Sequence, residues 1–303
     1  MLLLSALFGT KSVYLRLMKI FRYGAKGSEK AGVILNEKRY DVSVGNFQYN
    51  RDFFADVSNL ERLQTYVIEN SDKLKEIADD ERIGTPLEAP SKILCVGLNF
   101  DDHVKETKLE QASEPIVFMK SVSAFNGPFD GITLPKSSVK SDWETELAIV
   151  IGKKASYVTE EEALDHVFGY VLHNDVTERE FQIERGGTWD KGKGCDTFAP
   201  IGPFIATKDE IKDVDHLRIW LKLNGELMQD GNTSDFIYRI PKLISYLSQF
   251  MSLLPGDIIS TGSPAGSGMG KSPQRFLQDG DIIEYGIDGL GSAKQVISAY
   301  KTA

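Results

Sequence analysis

Asp142-Trp143-Glu144-Thr145-Glu146-Leu147-Ala148-Ile149-Val150-Ile151-Gly152 is the stretch on which the reading of this chain turns. From Leu147 to Ile151 every position is apolar, as in a strand covered on both faces, and Gly152 ends the run. Side chains alternate along a strand, so Glu144 and Glu146 project from one side of the same sheet. Two carboxylates beside a core repel each other unless a cation sits between them. A set made only of carboxylate oxygens suits a hard divalent ion such as Mg²⁺ or Mn²⁺, with Ca²⁺ as a third candidate. Solvated sheet faces also carry Glu-x-Glu, so the pair needs support from elsewhere in the chain.

Support comes downstream. Val171-Leu172-His173-Asn174-Asp175-Val176 reads as the next strand, with Asp175 near its end. Thr177 and Glu180 have the spacing of a capping box, which predicts a helix from Glu178 to about Arg185, stopped by Gly186-Gly187. Asp175 then lies where a strand hands over to a helix, a place where rigid scaffolds display functional side chains. Its charge could instead serve the helix start. His173 shares a face with Asp175 by alternation and is read as structural.

Three further stretches carry polar chemistry. In Gly97-Leu98-Asn99-Phe100-Asp101-Asp102-His103-Val104-Lys105-Glu106-Thr107, Asn99 can cap a short helix on which His103 and Glu106 stand three apart, within hydrogen-bond reach. A carboxylate that fixes one imidazole nitrogen leaves the other as a general base, although an exposed helical pair has the same spacing. The run from Arg185 to Phe198 combines glycines with Lys191 and Lys193, and either brings positive charge to an anionic ligand or is a solvated connection. Ile259-Ser260-Thr261-Gly262-Ser263-Pro264-Ala265-Gly266 is a strand entering a glycine-rich turn whose amides could grip a carboxylate. The following run to Ser272 nearly matches a phosphate-binding loop, but Ala265 replaces its first glycine and Pro273 forbids the helix such a loop must open, so nucleotide binding is rejected.

Composition sets the frame. The chain has 303 residues, 26% charged and 41% hydrophobic, as in ordinary globular proteins. A net charge of −9 argues against nucleic acid as a partner. Cys95 and Cys195 give no disulfide framework, which fits a reducing, cytoplasmic compartment. No segment reaches membrane length; residues 1–17 are apolar with Lys11 and Arg16, are read as an extension, and leave organellar targeting open. Residues 18–86 read as a small N-terminal α+β domain: strands near Ile20–Tyr23, Gly32–Leu35 and Arg39–Val42, then a helix from Leu60 to Ala78. A linker precedes a larger unit over 91–303, mostly strands, with helices starting at Thr159 and near Pro241. The latter carries Leu243, Ile244, Leu247 and Phe250 on one face. The element order predicts an α+β fold on a curved mixed sheet rather than βαβ repetition.

Taken in order, Gly97–His103, Asp142–Leu147, Asn174–Arg179, Lys193–Phe198 and Thr261–Pro264 resemble the fumarylacetoacetate hydrolase family, over about Lys92 to Val296. The run Glu180–Gly194 is most similar to members named ureidoglycolate lyase or diketo-deoxy-sugar-acid hydrolase. The resemblance implies a roll-like catalytic domain, a homodimer, and Glu144, Glu146 and Asp175 as ligands of Mg²⁺ or Mn²⁺. It further implies His103 with Glu106 as the water-activating dyad and Lys193 beside the substrate oxygen. Arg179 and Gln182 would hold or gate an oxo-acid substrate, and Thr261 would contact its carboxylate, while Ser263 replaces a threonine common in relatives.

The implied reaction is metal-dependent hydrolysis of a C–C bond in an acylpyruvate-like 2,4-dioxo acid, with a 2,4-dioxo-3-deoxy sugar acid as one version. Elimination of urea from ureidoglycolate, and decarboxylation or tautomerisation of oxaloacetate, pass through similar charged intermediates and stay as alternatives. A non-catalytic sugar-acid binding protein is the weakest of them, because dyad and ligands are all present.

Overall fold

Antiparallel pairing of residues 145–151 with the strand that precedes Asp175 organises the molecule. The computed structural model describes residues 18–107 and 113–301; the side chains of His103, Val104 and Thr107 also lie outside the described set, as do residues 1–17. The first unit contains β1 (Lys19–Tyr23), β2 (Lys30–Leu35), β3 (Lys38–Asp41), α1 (Arg51–Ala55), α2 (Val57–Glu69) and β4 (Lys75–Glu76). The expected helix to Ala78 stops at Glu69, because Lys75 and Glu76 pair with Asp41 and Tyr40 and draw the chain into the sheet. Asp56 caps α2 by accepting from the Ser58 amide.

Then come β5 (Ile93–Gly97), α3 (Asp101–Thr107), β6 (Ile116–Lys120), β7 (Phe125–Asn126), β8 (Ile132–Thr133), β9 (Ser141–Asp142) and β10 (Thr145–Ile151). They are followed by α4 (Glu160–Ala163), β11 (Val167–Asn174), β12 (Thr177–Glu178), α5 (Asp190–Lys193), β13 (Ala199–Pro200) and β14 (Ile205–Thr207). The chain closes with β15 (Arg218–Leu223), β16 (Glu226–Asn232), α6 (Ile240–Ser248), β17 (Ile258–Ser260), β18 (Ile282–Ile287) and β19 (Gly291–Ser298). The main sheet runs β4-β3-β2-β1-β14-β11-β10-β17-β5-β6 and is mixed, since only β17 and β5 are parallel among these pairs. A second sheet, β16-β15-β18-β19-β8, accompanies it. The predicted α+β class on a mixed sheet is what the structure shows. The small unit and the larger one share the main sheet through the β1–β14 pairing.

β10 lies at the centre and is buried at all seven positions, which is why it lacks alternation. Burying each of Leu147, Ile149, Val150 and Ile151 stabilises the fold by roughly 1.5–3 kcal/mol. The capping box at Thr159 and Glu162 forms as expected. α6 buries Leu243, Ile244 and Leu247 but ends at Ser248, leaving Phe250 beyond it and 64% exposed. Among the described residues no helix is long and apolar enough to cross a membrane.

Candidate metal centre

The ladder between β10 and β11 puts Glu146 directly opposite His173. It continues past Thr145 through the Asp175 amide, which donates to the Glu144 carbonyl at 2.8 Å, while the Glu144 amide donates to Asn174 Oδ1 at 2.9 Å. The three carboxylates therefore converge. Glu144, Glu146 and Asp175 are buried, and each offers one oxygen such that all three lie within 4.8 Å of one another. Oxygens sharing a hard divalent ion at 2.0–2.6 Å lie at most about 4–5 Å apart, so this oxygen-only set fits such an ion.

Charge is balanced nearby. Lys193 Nζ donates to Glu144 Oε2 at 2.5 Å and to Asp175 Oδ2 at 2.7 Å. Lys120, fully buried, donates to Asp175 Oδ1 at 2.5 Å and to the Val176 carbonyl at 3.0 Å. Arg179 bridges Asp142 Oδ2 and Glu144 Oε1 at 2.8 and 2.7 Å. Burial alone would push the Asp175 carboxyl up, but Lys120 and Lys193 outweigh it and hold it below the ordinary value. Burial, then Asp175 and Glu144, push the Glu146 carboxyl well above its ordinary value. Burial works against charge on Lys193 and Arg179, yet their carboxylate neighbours win and raise both. With all of them ionised, four buried carboxylates face three buried cations, an excess of one negative charge that a divalent ion would reverse.

Glu146 is oriented by its surroundings. Its Oε2 accepts from the Ser260 hydroxyl and from the Gly262 amide at 3.0 Å. Ser260 has one hydrogen, which goes to Glu146, so its oxygen accepts from His173 Nδ1 at 2.7 Å. His173 is therefore the neutral tautomer protonated on Nδ1, and burial pushes its pKa down to about 3.

The glycine-rich turn after β17 does grip carboxylates, but they belong to the protein. Besides Gly262, the Ala265 amide donates to Asp102, Gly266 to Glu106, and Gly268 and Met269 to the two oxygens of Asp142. α3 is docked by this turn through Asp102 and Glu106. A Cβ on Gly270 would come within 2.1 Å of the Glu106 carboxyl carbon, so a larger residue there would have to push the Glu106 carboxylate aside. Glu106 thus stands one helical turn from His103, whose side chain lies outside the described set. Asn99 does not cap α3; its side chain bonds Tyr238 and the Thr261 carbonyl.

Two other expectations change. Thr177 forms no capping box: its hydroxyl donates to the Asp175 carbonyl at 2.8 Å and toward Glu144 Oε2, and residues 177–178 are a strand paired with β9. Buried Glu178 accepts from Ser138, Ser141 and the Lys140 amide, holding the backbone extended, and wide π-type turns follow over Glu180–Glu184. Thr261 is buried, donates to the Leu147 carbonyl at 2.8 Å, and directly precedes Gly262 and Ser263, which line the cavity. Gln182 accepts from Arg179 at 3.2 Å and lines that cavity, of about 220 Å³, with Glu144, Glu146 and Lys193. Lys120 and Asp142 were not singled out from the sequence. A lysine closing the apolar strand Ile116–Lys120 was the available signal for the first.

Residues 92–298 match the family described as fumarylacetoacetate (FAA) hydrolase, C-terminal. This chain belongs to the fumarylacetoacetate hydrolase family. A Burkholderia orbicola protein named "Putative hydrolase" is 45% identical over 280 residues, spanning 92% of this chain and 98% of its own. The fumarylacetoacetate hydrolase of psychrophilic Exiguobacterium antarcticum superposes with a TM-score of 0.80 at 34% identity, covering 93% of this chain and 100% of that one. Maleylpyruvate hydrolase from Sphingobium sp. SYK-6, solved with manganese(II) and pyruvate, gives a TM-score of 0.78 at 29% identity over 94% of this chain and 100% of that one.

Proposed function

We propose that this protein is a Mg²⁺- or Mn²⁺-dependent hydrolase that cleaves the C–C bond of a 2,4-dioxo acid of the acylpyruvate type. The carrying observation is the convergence of Glu144, Glu146 and Asp175 within 4.8 Å, with Lys193 bonded to two of them. Manganese and pyruvate bound together in the Sphingobium relative support the same reading. A bound divalent ion supplies positive charge that attracts the keto-acid end and favours negative charge on it.

The protein's own groups do the rest. His103, expected to act as a dyad with Glu106, takes a proton from water whose oxygen bonds to C4 of the substrate. The C3–C4 bond breaks, its electron pair passes to the pyruvate fragment, and Lys193 donates to the oxygen on which charge builds. A proton returns to C3, so that one water and one dioxo acid give pyruvate and one carboxylic acid. Arg179 and Gln182 orient the substrate beside these groups. The assembly expected on family grounds is a homodimer.

The test is product identification with acylpyruvates, ureidoglycolate and oxaloacetate in the presence of Mg²⁺ or Mn²⁺. Pyruvate with the matching acid supports the proposal; urea with glyoxylate, or CO₂, transfers it to a lyase. Glu146→Gln should lose both tight metal binding by calorimetry and turnover. Full activity in chelator-treated buffer would falsify the metal-dependent reading.

A further inference from the structure

The cavity has two unlike ends. One is the cluster of carboxylates and cations; the other is walled by Val96, Leu98, Phe118, Ile183, Trp189 and Met269. From this contrast we infer that the acyl group of the substrate is apolar, aliphatic or aromatic, rather than a hydroxylated sugar chain or a second carboxylate. The inference rests on the acylpyruvate reading and narrows it.

The polar side chains on the described walls gather at the first end, where Gln182 accepts from Arg179 and Arg179 and Lys193 bond Glu144. The Ser263 hydroxyl accepts from Gln229 Nε2 at 2.7 Å and is directed to the Pro264 carbonyl, and the Gly262 amide serves Glu146. Arg179 and Lys193, the two cations lining the cavity among the described residues, hold Asp142, Glu144 and Asp175. A sugar hydroxyl placed against the other end would lose water without gaining a partner, which disfavours it. With Arg179 and Lys193 serving the keto-acid end, a second carboxylate at the other end would meet no further cation among the described walls, and burying an unpaired charge is costlier still.

The apolar end is also firmly built. The Trp189 ring lies so close to Gly97 that a Cβ there would sit 2.5 Å from it. Trp189 packs on Phe118 with ring centroids 5.2 Å apart, and Lys193 Nζ stands 4.8 Å from the Phe118 ring centre, so Phe118 marks where the two ends meet. Size agrees with this: an apolar cavity of roughly 150 Å³ accepts benzene, and about 220 Å³ accommodates the pyruvate moiety with a short acyl chain or one ring.

Steady-state kinetics with the metal-loaded enzyme on three acylpyruvates tests this: a benzoyl or short-alkanoyl compound, a 2,4-dioxo-3-deoxy sugar acid, and a compound ending in a second carboxylate. An apolar pocket discriminates against an added hydroxyl by about 10–100-fold, and kcat/KM for the apolar compound should exceed both others by at least the lower figure. Ile183, 54% exposed and so replaceable without unpacking the core, supplies a second measurement. Ile183→Gln should lower the ratio of apolar to hydroxylated turnover several-fold. Equal or faster turnover of the sugar acid or the dicarboxylate overturns the inference and leaves the hydrolase reading intact. No turnover of any of the three overturns both.

Discussion

Replacing Ser260 by alanine removes a single hydroxyl that stands between His173 and Glu146. In the native protein that hydroxyl donates to Glu146 Oε2 and accepts from His173 Nδ1, so the variant loses two bonds and strands a buried imidazole N–H. A hydrogen bond to a charged group contributes about 1.5–3 kcal/mol, and an orphaned buried donor costs about 1–3 kcal/mol. Gly262 still holds Oε2 in the variant, so Glu146 is loosened rather than released. Loss of such an outer partner weakens metal binding by about 10–100-fold, equivalent to about 1.4–2.7 kcal/mol. Calorimetric titration with Mn²⁺ measures this without recourse to turnover, and the metal concentration for half-maximal activity should rise in parallel. kcat at saturating Mn²⁺ should fall much less. His173→Asn, which keeps an N–H near the Nδ1 position, should retain more affinity than His173→Phe. Unaltered Mn²⁺ affinity in Ser260→Ala would refute the idea that this relay orients the ligand.

Other variants probe other parts of the centre. Gly270→Ala drives a methyl group into the Glu106 carboxylate and should cut kcat/KM by about 10-fold or more through displacement of that carboxylate, with Mn²⁺ affinity by titration unchanged. Lys120→Met leaves Asp175 with one of its two lysines and should destabilise the metal-free protein by about 3–5 kcal/mol in denaturant unfolding. Arg82→Ala removes the pair with Asp130 that joins the first unit to the second. Burial raises the Asp130 carboxyl but the Arg82 pair outweighs it, so its pKa is lowered overall. A lowered carboxylate pKa stabilises above the unfolded value of about 3.9 and the benefit fades as pH falls through the folded value. The Tm gap between wild type and Arg82→Ala should accordingly be widest near neutrality and shrink in acid; a constant gap would discount the ion pair.

The ligand set was readable because alternation is local: Glu144 and Glu146 face one way whatever surrounds them, and Asp175 follows a recognisable strand. The Thr159 cap was readable for the same reason, since both partners lie within one turn. Thr177 and Glu180 have an identical spacing, yet Ser138 and Ser141 hold Glu178 from far away in sequence and cancel the helix start. The extension of α2 to Ala78 failed similarly, through pairing with β3. Lys120 could not be tied to Asp175 because 55 positions separate them and only the strand order β10-β17-β5-β6 brings their neighbourhood together. Asp142 stood inside the quoted motif, but its role depends on amides of Gly268 and Met269 that no local pattern announces.

The turn from Gly262 to Met269 therefore behaves as a switchboard. Its backbone is wired at once to a metal-ligand candidate, to the anchor of Arg179 and to the helix bearing His103 and Glu106. Side-chain exchange within the loop, proline apart, leaves those wires in place because main-chain amides make them, whereas a shift of the loop's path would detune all three together. Tuning of this enzyme is consequently easier at the apolar wall, where residues answer individually, than at the loop that ties its parts into one circuit.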